Sequence, residues 1–315
     1  MINLTKKIFL TGASWFIGSN ILRKLIELWA QDVHILLRKD SSTSRIKDLL
    51  DKVKIHTFSL EDRDETLENI RAIRPNIIFH LAAAGAAVWR APFNIDELVY
   101  MNTLGMIHLV DASIESWCEC FINTGSSSEY GKKDEPMSEQ DILEPNNIYG
   151  LSKSFSTQYA TFIGKIKKFP IVTFRLFSVY GPYEESSRLI PTLINSYLNS
   201  VNPGLSSPNS VRDFIYIDDV VDSFLQADKA VVYPGEIFNI GTWIQSSIQE
   251  VVSTIKTLLN SEINPIFGKQ RMNQVEPTSW VANNNKMKTI LNIELKDIKI
   301  WLSKTIEYYT QVKNL

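Results

Sequence analysis

Cysteine is scarce: the only two among 315 residues are Cys118 and Cys120. They flank one residue in a stretch that reads as a strand. No second ligand pair accompanies them, which argues for structural thiols and against a metal site. No apolar run approaches the roughly eighteen residues of a membrane-spanning helix, and the apolar stretch after Lys6-Lys7 is too short for a signal peptide. A basic excess is missing as well. Lys and Arg number 33 against 35 Asp and Glu, a formal net charge of −2, which gives no support for nucleic-acid binding. Neither an internal repeat nor a low-complexity segment is present. What remains is an ordinary globular composition, 44% hydrophobic and 22% charged. It predicts a soluble, cytoplasmic protein with one large core or two smaller ones.

Strand and helix patterns alternate along the first half. Apolar Ile8-Phe9-Leu10 leads into the turn Thr11-Gly12-Ala13-Ser14-Trp15-Phe16-Ile17-Gly18, followed by Ile21, Leu22, Leu25, Ile26 and Trp29 at helical spacing. Strands are expected at 33–37, 53–58, 77–83, 121–124 and 171–177, and helices at 63–73, 96–116 and 147–167. The run Ile77-Ile78-Phe79-His80-Leu81-Ala82-Ala83 suits a parallel strand buried on both faces. The fold class predicted is α/β, a doubly wound parallel sheet of the Rossmann kind, with ligands outside the carboxyl ends of the strands. After Tyr180-Gly181-Pro182 the pattern loosens: a helix at 187–199, a polar loop at 200–210, strands at 213–217 and 237–241, and helices at 246–259 and 297–311. Residues 1–177, with 212–241 returning to them, are therefore expected to bind a dinucleotide. Residues 178–211 and 242–315 are expected to form a smaller, interleaved substrate lobe.

The glycine turn is organised for an anion. A helix entered this way presents free N–H groups and its positive dipole end to a pyrophosphate. Gly12 permits the tight turn and Gly18 lets the helix pack on the strand. Trp15 stands where a glycine usually brings the backbone closest to the phosphates, so the motif carries its own objection.

Tyr149 and Lys153 lie one helical turn apart in Tyr149-Gly150-Leu151-Ser152-Lys153, on one face. Lowering a phenol's pKa by one from its ordinary ~10 needs about 1.4 kcal/mol, part of which a nearby ammonium can supply. Tyr149 would then be a workable proton donor and acceptor. Taken alone, the spacing also describes a surface pair. The hydroxyl cluster Thr124-Gly125-Ser126-Ser127-Ser128-Glu129-Tyr130-Gly131, at the end of the preceding strand, adds the context of a sheet edge where ligands bind.

Together with His80-Leu81-Ala82-Ala83, Asn102 and Gly105, Arg175 to Pro182, Arg212 to Val220 and Phe238-Asn239-Ile240-Gly241, these features span nearly the whole chain. The pattern resembles the extended short-chain dehydrogenase/reductase family, in particular its nucleotide-sugar epimerases, dehydratases and reductases. The resemblance implies that Tyr149 is the acid/base, that Lys153 holds the nicotinamide ribose and lowers the tyrosine's pKa, and that Ser126 hydrogen-bonds the reacting sugar oxygen. It implies cofactor contacts from Gly12, Ser14, Trp15, Phe16, Ile17, Gly18, Leu60, Ala82, Ala83, Phe177 and Val179. Substrate contacts are implied at Asn102, Ser127, Ser178, Arg188 and Arg212, with Arg212 on the diphosphate; the alternative for Arg212 is a structural pair with Asp213 or Asp218. Ser127 and Ser128 could also be hydroxyls that cap a turn. Many relatives dimerise through the helices corresponding to 96–116 and 147–167, so a homodimer is expected, with Phe155, Tyr159, Phe162 and Ile163 as an apolar stripe that could equally be core.

Departures from the family sharpen the expectation. An acidic pair follows the residue matching Ser126 in 4,6-dehydratases; here Ser127 and Ser128 occupy those places and Glu129 is one position late. Dehydration is disfavoured. The acidic residue that ends the second strand of NAD-binding members is replaced by Leu37, followed by Arg38 and Lys39, which suits a 2′-phosphate and favours NADP(H) over NAD(H). The adenine-contacting aspartate is replaced by Ser59, leaving Leu60 as an apolar contact. The leading expectation is a 4-ketoreductase of a nucleotide-linked 4-keto-6-deoxy sugar. A 4-epimerase with retained NAD(P) is the alternative. Trp15 keeps open a third reading, a non-catalytic sugar-nucleotide-binding protein.

Overall fold

Alternation of side chains along buried strands gives this chain two apolar layers, one on each face of a single sheet. Ile8 and Leu10 face one layer while Phe9 faces the other; Ile77, Phe79, Cys120 and Ile122 join the first, Ile78 and Phe121 the second. The computed structural model describes residues 1–85, 95–268 and 278–313.

The sheet and its helices are built from β1 (Lys7–Thr11), α1 (Phe16–Glu27), β2 (Asp32–Leu36), β3 (Lys54–His56), α2 (Arg63–Ile73), β4 (Ile77–His80), α3 (Ile95–Val99), α4 (Gly105–Glu115), β5 (Cys120–Ser126), α5 (Ile148–Lys167) and β6 (Ile171–Leu176). Then follow β7 (Ser178–Tyr180), α6 (Leu189–Leu198), β8 (Gly204–Leu205), β9 (Val211–Tyr216), α7 (Ile217–Leu225), α8 (Ala227–Ala230), β10 (Ile237–Ile240), β11 (Gln245–Ser247), α9 (Ile248–Leu258), β12 (Ile266–Phe267) and α10 (Ile298–Lys313). Seven strands form one parallel sheet in the order β10-β6-β5-β4-β1-β2-β3. The order reverses between β1 and β4, where ligands bind in such folds. A second sheet, β11-β9-β7, stands apart, as does the pair β12-β8.

Local chemistry sets the helix ends. The Asp62 side chain accepts the Glu65 N–H at the start of α2 (2.9 Å), and Arg74 in left-handed conformation closes it. The Asn147 side chain caps α5 through the Gly150 N–H (2.8 Å) and thereby fixes the turn that carries Tyr149. Ser247 and Glu250 form a reciprocal capping box at α9.

Several expected elements differ in extent, the strand at 53–58 shrinking to Lys54–His56 for one, and three of the differences bear on the site. The helix expected at 96–116 contains a wider π turn, Tyr100–Leu104, between α3 and α4; Asn102 sits in it, and its buried amide reaches Ala84 and Ser152. The strand expected at 77–83 stops at His80, because the Ala82 N–H turns to the Thr11 hydroxyl (3.1 Å). Residues 213–217 are strand only to Tyr216; Ile217 already begins α7, and β9 pairs with β7 and β11 rather than with the large sheet. Cys118 and Cys120 are both buried, in opposite layers. Among the described residues no group of His, Cys, Asp or Glu could hold a metal, and no helix is long and apolar enough to cross a membrane.

Candidate active site

The turn after β1 is shaped by backbone contact. Gly12 has φ +73°, and a Cβ there would lie 2.8 Å from the Ala82 nitrogen. A Cβ on Gly18 would lie 2.2 Å from the Gly12 carbonyl oxygen, so α1 closes directly on the turn. Trp15 is the N-cap of α1 at φ −87°, ψ 169°, extended backbone that any residue adopts. Its N–H donates to Gly12 (3.1 Å) and its carbonyl accepts the Ser19 N–H (2.8 Å), while the indole is 51% exposed. The turn thus keeps its course without the third glycine. Ser14 is buried, Phe16 and Ile17 partly so, and no acidic residue stands in the first turn of α1. A helix N-terminus without negative side chains fits a diphosphate.

Around this turn the other expected cofactor residues spread out. Ala82 and Ala83 are partly buried beside Gly12, while Arg38 and Lys39 are exposed beyond β2, with Arg38 Nε 3.8 Å from Asp40. Leu60 lies in the core against α4, and its carbonyl accepts His108 Nδ1 (2.9 Å). Asn102, expected at the substrate, has its amide taken up by the Ala84 N–H, the Ala84 carbonyl and the Ser152 hydroxyl; it ties the Ala82–Ala84 segment to α5.

Across the switch point, Ser126 ends β5 and opens a single 3₁₀ turn. The Ser126 hydroxyl accepts the Ser128 N–H (3.2 Å), and Glu129 Oε1 accepts the Ser126 N–H (2.7 Å). The Tyr149 phenol lies close enough to Ser126 for the serine to favour its ionised form, and Lys153, 3% exposed, follows one turn along α5. Ser126, Tyr149 and Lys153 are therefore brought together. The expected depression of the phenol is not seen: burial pushes Tyr149 up to about 12, the Glu129 charge adds to this, and Arg188 and Ser126 act the other way. Burial also pulls Lys153 down to about 8, with Glu129 acting in its favour. His80, donor or acceptor to the Thr11 hydroxyl at 2.9 Å, is pushed down to about 3 by burial and by Lys153, so it stays neutral.

Residues 177–179, Arg188 and Arg212 lie on the second sheet and its flanks. Phe177 is buried with Tyr130, Met137 and Ala282, and Ser178 and Val179 are partly exposed. Arg188 caps α6, with Nε 3.7 Å from Glu184, within electrostatic reach of Tyr149. The Asp213 carboxylate accepts N–H groups of Thr242, Trp243 and Ala282; the Arg212 guanidinium lies over the Trp280 ring, 5.6 Å from its centroid. Trp280 Nε1 donates to the Ser127 hydroxyl at 3.2 Å. Sequence reasoning missed Trp280, which no motif marks and which lies 153 positions from Ser127. It also missed the partner of Glu129, Arg175, whose Nε donates to Glu129 Oε2 at 2.7 Å with both side chains buried.

The model of the NAD dependent epimerase/dehydratase family matches residues 8–241, about three quarters of the chain. The chain belongs to this family. Relatives in the epimerase/dehydratase family include human dTDP-D-glucose 4,6-dehydratase, 26% identical over 97% of this chain and 90% of that protein. They also include the dTDP-4-dehydro-6-deoxyglucose reductase of Escherichia coli, 28% identical over 81% and 82%. The UDP-glucose 4-epimerase of Thermotoga maritima, solved with UDP-glucose, superposes with a TM-score of 0.88 at 25% identity, covering 98% of this chain and 99% of that one. The family member described here is accordingly an enzyme of the extended short-chain dehydrogenase/reductase type, among relatives that reduce, dehydrate or epimerise nucleotide sugars.

Proposed function

We propose that this enzyme is an NADPH-dependent 4-ketoreductase of a nucleotide-linked 4-keto-6-deoxy sugar. The observation that carries the reading is the chemistry beside Ser126. Ser127 and Ser128 stand at the two positions where dehydratases of the resembled group have carboxylates, and the neighbouring acid, Glu129, is buried against Arg175. No carboxylate of this turn is available to remove a proton from the sugar or to protonate a leaving hydroxyl, whereas reduction needs neither.

The bound nicotinamide would supply a hydride to the C4 carbonyl. The protonated Tyr149 phenol then donates its proton to the developing alkoxide, and the nearby Ser126 hydroxyl stabilises the oxygen as charge grows. Lys153 would hold the nicotinamide ribose. Arg212, stacked over Trp280, would meet the diphosphate with Arg188 nearby. Exposed Arg38 and Lys39, after a second strand that ends without an acid, support NADP(H) over NAD(H). Exposed Leu151, Phe155 and Phe162 on α5, beside Val99 and Tyr100, support a homodimer through α3, α4 and α5; Tyr159 and Ile163 of the expected stripe turn inward instead.

The alternative, a 4-epimerase that retains its cofactor, is favoured by the likeness to the T. maritima epimerase. Loss of NADPH absorbance separates the two. With a panel of 4-keto-6-deoxy nucleotide sugars the reductase consumes one NADPH per product; epimer formation without NADPH loss sinks it.

A further inference from the structure

Between β7 and α6 the chain runs as a strap, residues 181–188, that is held by side chains from distant elements at each residue from Pro182 to Glu185. The Pro182 carbonyl accepts Asn20 Nδ2, from the second turn of α1, at 3.0 Å. The Tyr183 carbonyl accepts Arg45 Nε at 2.8 Å, the Glu184 carbonyl accepts the Tyr309 hydroxyl at 3.2 Å, and Glu185 Oε1 accepts Arg45 Nη2 at 2.6 Å. The Arg23 guanidinium lies 4.4 Å from the centroid of the Tyr183 ring, and the Tyr308 ring meets it at 5.0 Å. Tyr183 itself has φ +68°, the left-handed region that a bulky side chain seldom adopts. Such a conformation persists where its surroundings over-determine it, and it clusters where function needs a fixed shape.

Arg45 makes two of these contacts. It takes a carbonyl and a carboxylate of the strap with one planar fork, which fixes direction as well as distance. Its own carbonyl accepts Arg23 Nη2 at 2.6 Å, and Arg23 is paired with both oxygens of Asp48 at 2.6 and 2.7 Å. The pair with exposed Glu185 adds little to stability, so the arrangement calls for another reason. Arg45 belongs to the loop after β2, which begins with the exposed Arg38 and Lys39. That loop is tied within itself. The Arg38 N–H donates to the Ser41 hydroxyl and the Ser41 N–H to the Arg38 carbonyl, both at 3.0 Å; the Ile46 N–H donates to Thr43 at 2.9 Å, with Ile46 fully buried. At the far end of the strap, the Arg188 N–H donates to the carbonyl of Glu185 at 2.9 Å, so the residue that Arg45 grips is bonded to the one that opens α6.

We propose that Arg45 is a positioning residue: it couples the loop after β2 to the strap, so that a dinucleotide lying on that loop orders the strap and presents Arg188 to the nucleotide sugar. The inference rests on the reading of Arg38 and Lys39 as the seat of the cofactor's 2′-phosphate and of Arg188 as a substrate contact. Coupling of this kind is reciprocal, so cofactor and nucleotide sugar tighten each other's binding.

The test is hydrogen–deuterium exchange of the whole chain, read by mass spectrometry on a peptide covering the strap and on one covering the glycine turn, 11–20. In the strap, the Glu184 and Arg188 N–H groups, bonded to Gly181 and Glu185, report the opening. Without cofactor, Arg45→Ala speeds strap exchange about tenfold and leaves 11–20 unchanged. Saturating NADPH protects 11–20 in both proteins but slows the strap, again about tenfold, only in the unchanged one. In assays of reduction, the variant's KM for the nucleotide sugar rises about tenfold while kcat stays within about threefold. A strap that exchanges alike in the two free proteins overturns the proposal. So does a strap that NADPH leaves unslowed in the unchanged protein, or slows equally in the variant. Strap protection that is equal with NADH and NADPH, and lost in Arg45→Ala, overturns the 2′-phosphate reading and leaves the role of Arg45 standing. Absence of reduction by the unchanged protein, with the exchange pattern intact, overturns the reductase reading alone.

Discussion

The glycine turn after β1 and the hydroxyl cluster after β5 lie at the same edge of one sheet, yet they are held by different means. The turn is backbone against backbone: Gly18 on the Gly12 carbonyl, Gly12 on Ala82. The cluster is held through side chains: the Glu129 carboxylate accepts the Ser126 N–H and Arg175 Nε, and the Ser126 hydroxyl accepts the Ser128 N–H. Backbone packing depends on the absence of a Cβ at two positions and is indifferent at a third, which is why Trp15 is accommodated with ordinary extended dihedrals. A side-chain network has no such slack, because each member sets the charge state or direction of the next. The two regions should therefore fail differently when altered.

The largest effect belongs to the cluster. Tyr149→Phe should lower kcat by about 10³-fold, in the range of a lost general acid, while circular dichroism shows an unchanged fold. Next comes the turn: Gly18→Ala forces a Cβ to within 2.2 Å of the Gly12 oxygen, and should cost about 1–3 kcal/mol in urea unfolding, as overpacking does. Full stability in that variant would break the comparison. Smaller again, Arg38→Ala/Lys39→Ala should reduce the kcat/KM preference for NADPH over NADH by about tenfold, equivalent to ~1.4 kcal/mol of lost phosphate contact. An unchanged preference would place these residues in a solvated loop. Trp15→Gly should be the mildest, shifting NADPH affinity by less than about threefold in calorimetry, since the indole is half exposed and the backbone already relaxed. A large gain in affinity would show that the indole obstructs the phosphates.

Much of this was legible in the sequence, for physical reasons that also mark the limit. Apolar runs such as Ile77–Phe79 declare buried parallel strands, and Gly12, Gly18, Tyr149 and Lys153 are read from spacing because a turn and one helical face are local geometries. The π turn at Tyr100–Leu104 was hidden, since Asn102 is held by Ala84 and Ser152, partners distant in sequence. Glu129 stood out only as an acid in the wrong place; its meaning depends on Arg175, 46 positions away on the neighbouring strand. The rise at Tyr149 was hidden, because spacing shows the lysine one turn away but neither the burial nor the Glu129 carboxylate that push the phenol up. Trp280, against Ser127 and Arg212, belongs to a long-range contact that no local pattern announces.

At the centre of the proposed chemistry, hydride passes from cofactor to sugar and stays there. Stereospecifically 4-deuterated NADPH, incubated with this enzyme and a 4-keto-6-deoxy nucleotide sugar, tests this by NMR of the product. One deuterium at C4 of the product for each NADPH oxidised is the predicted result; a converted sugar without deuterium, and with the NADPH intact, would contradict it.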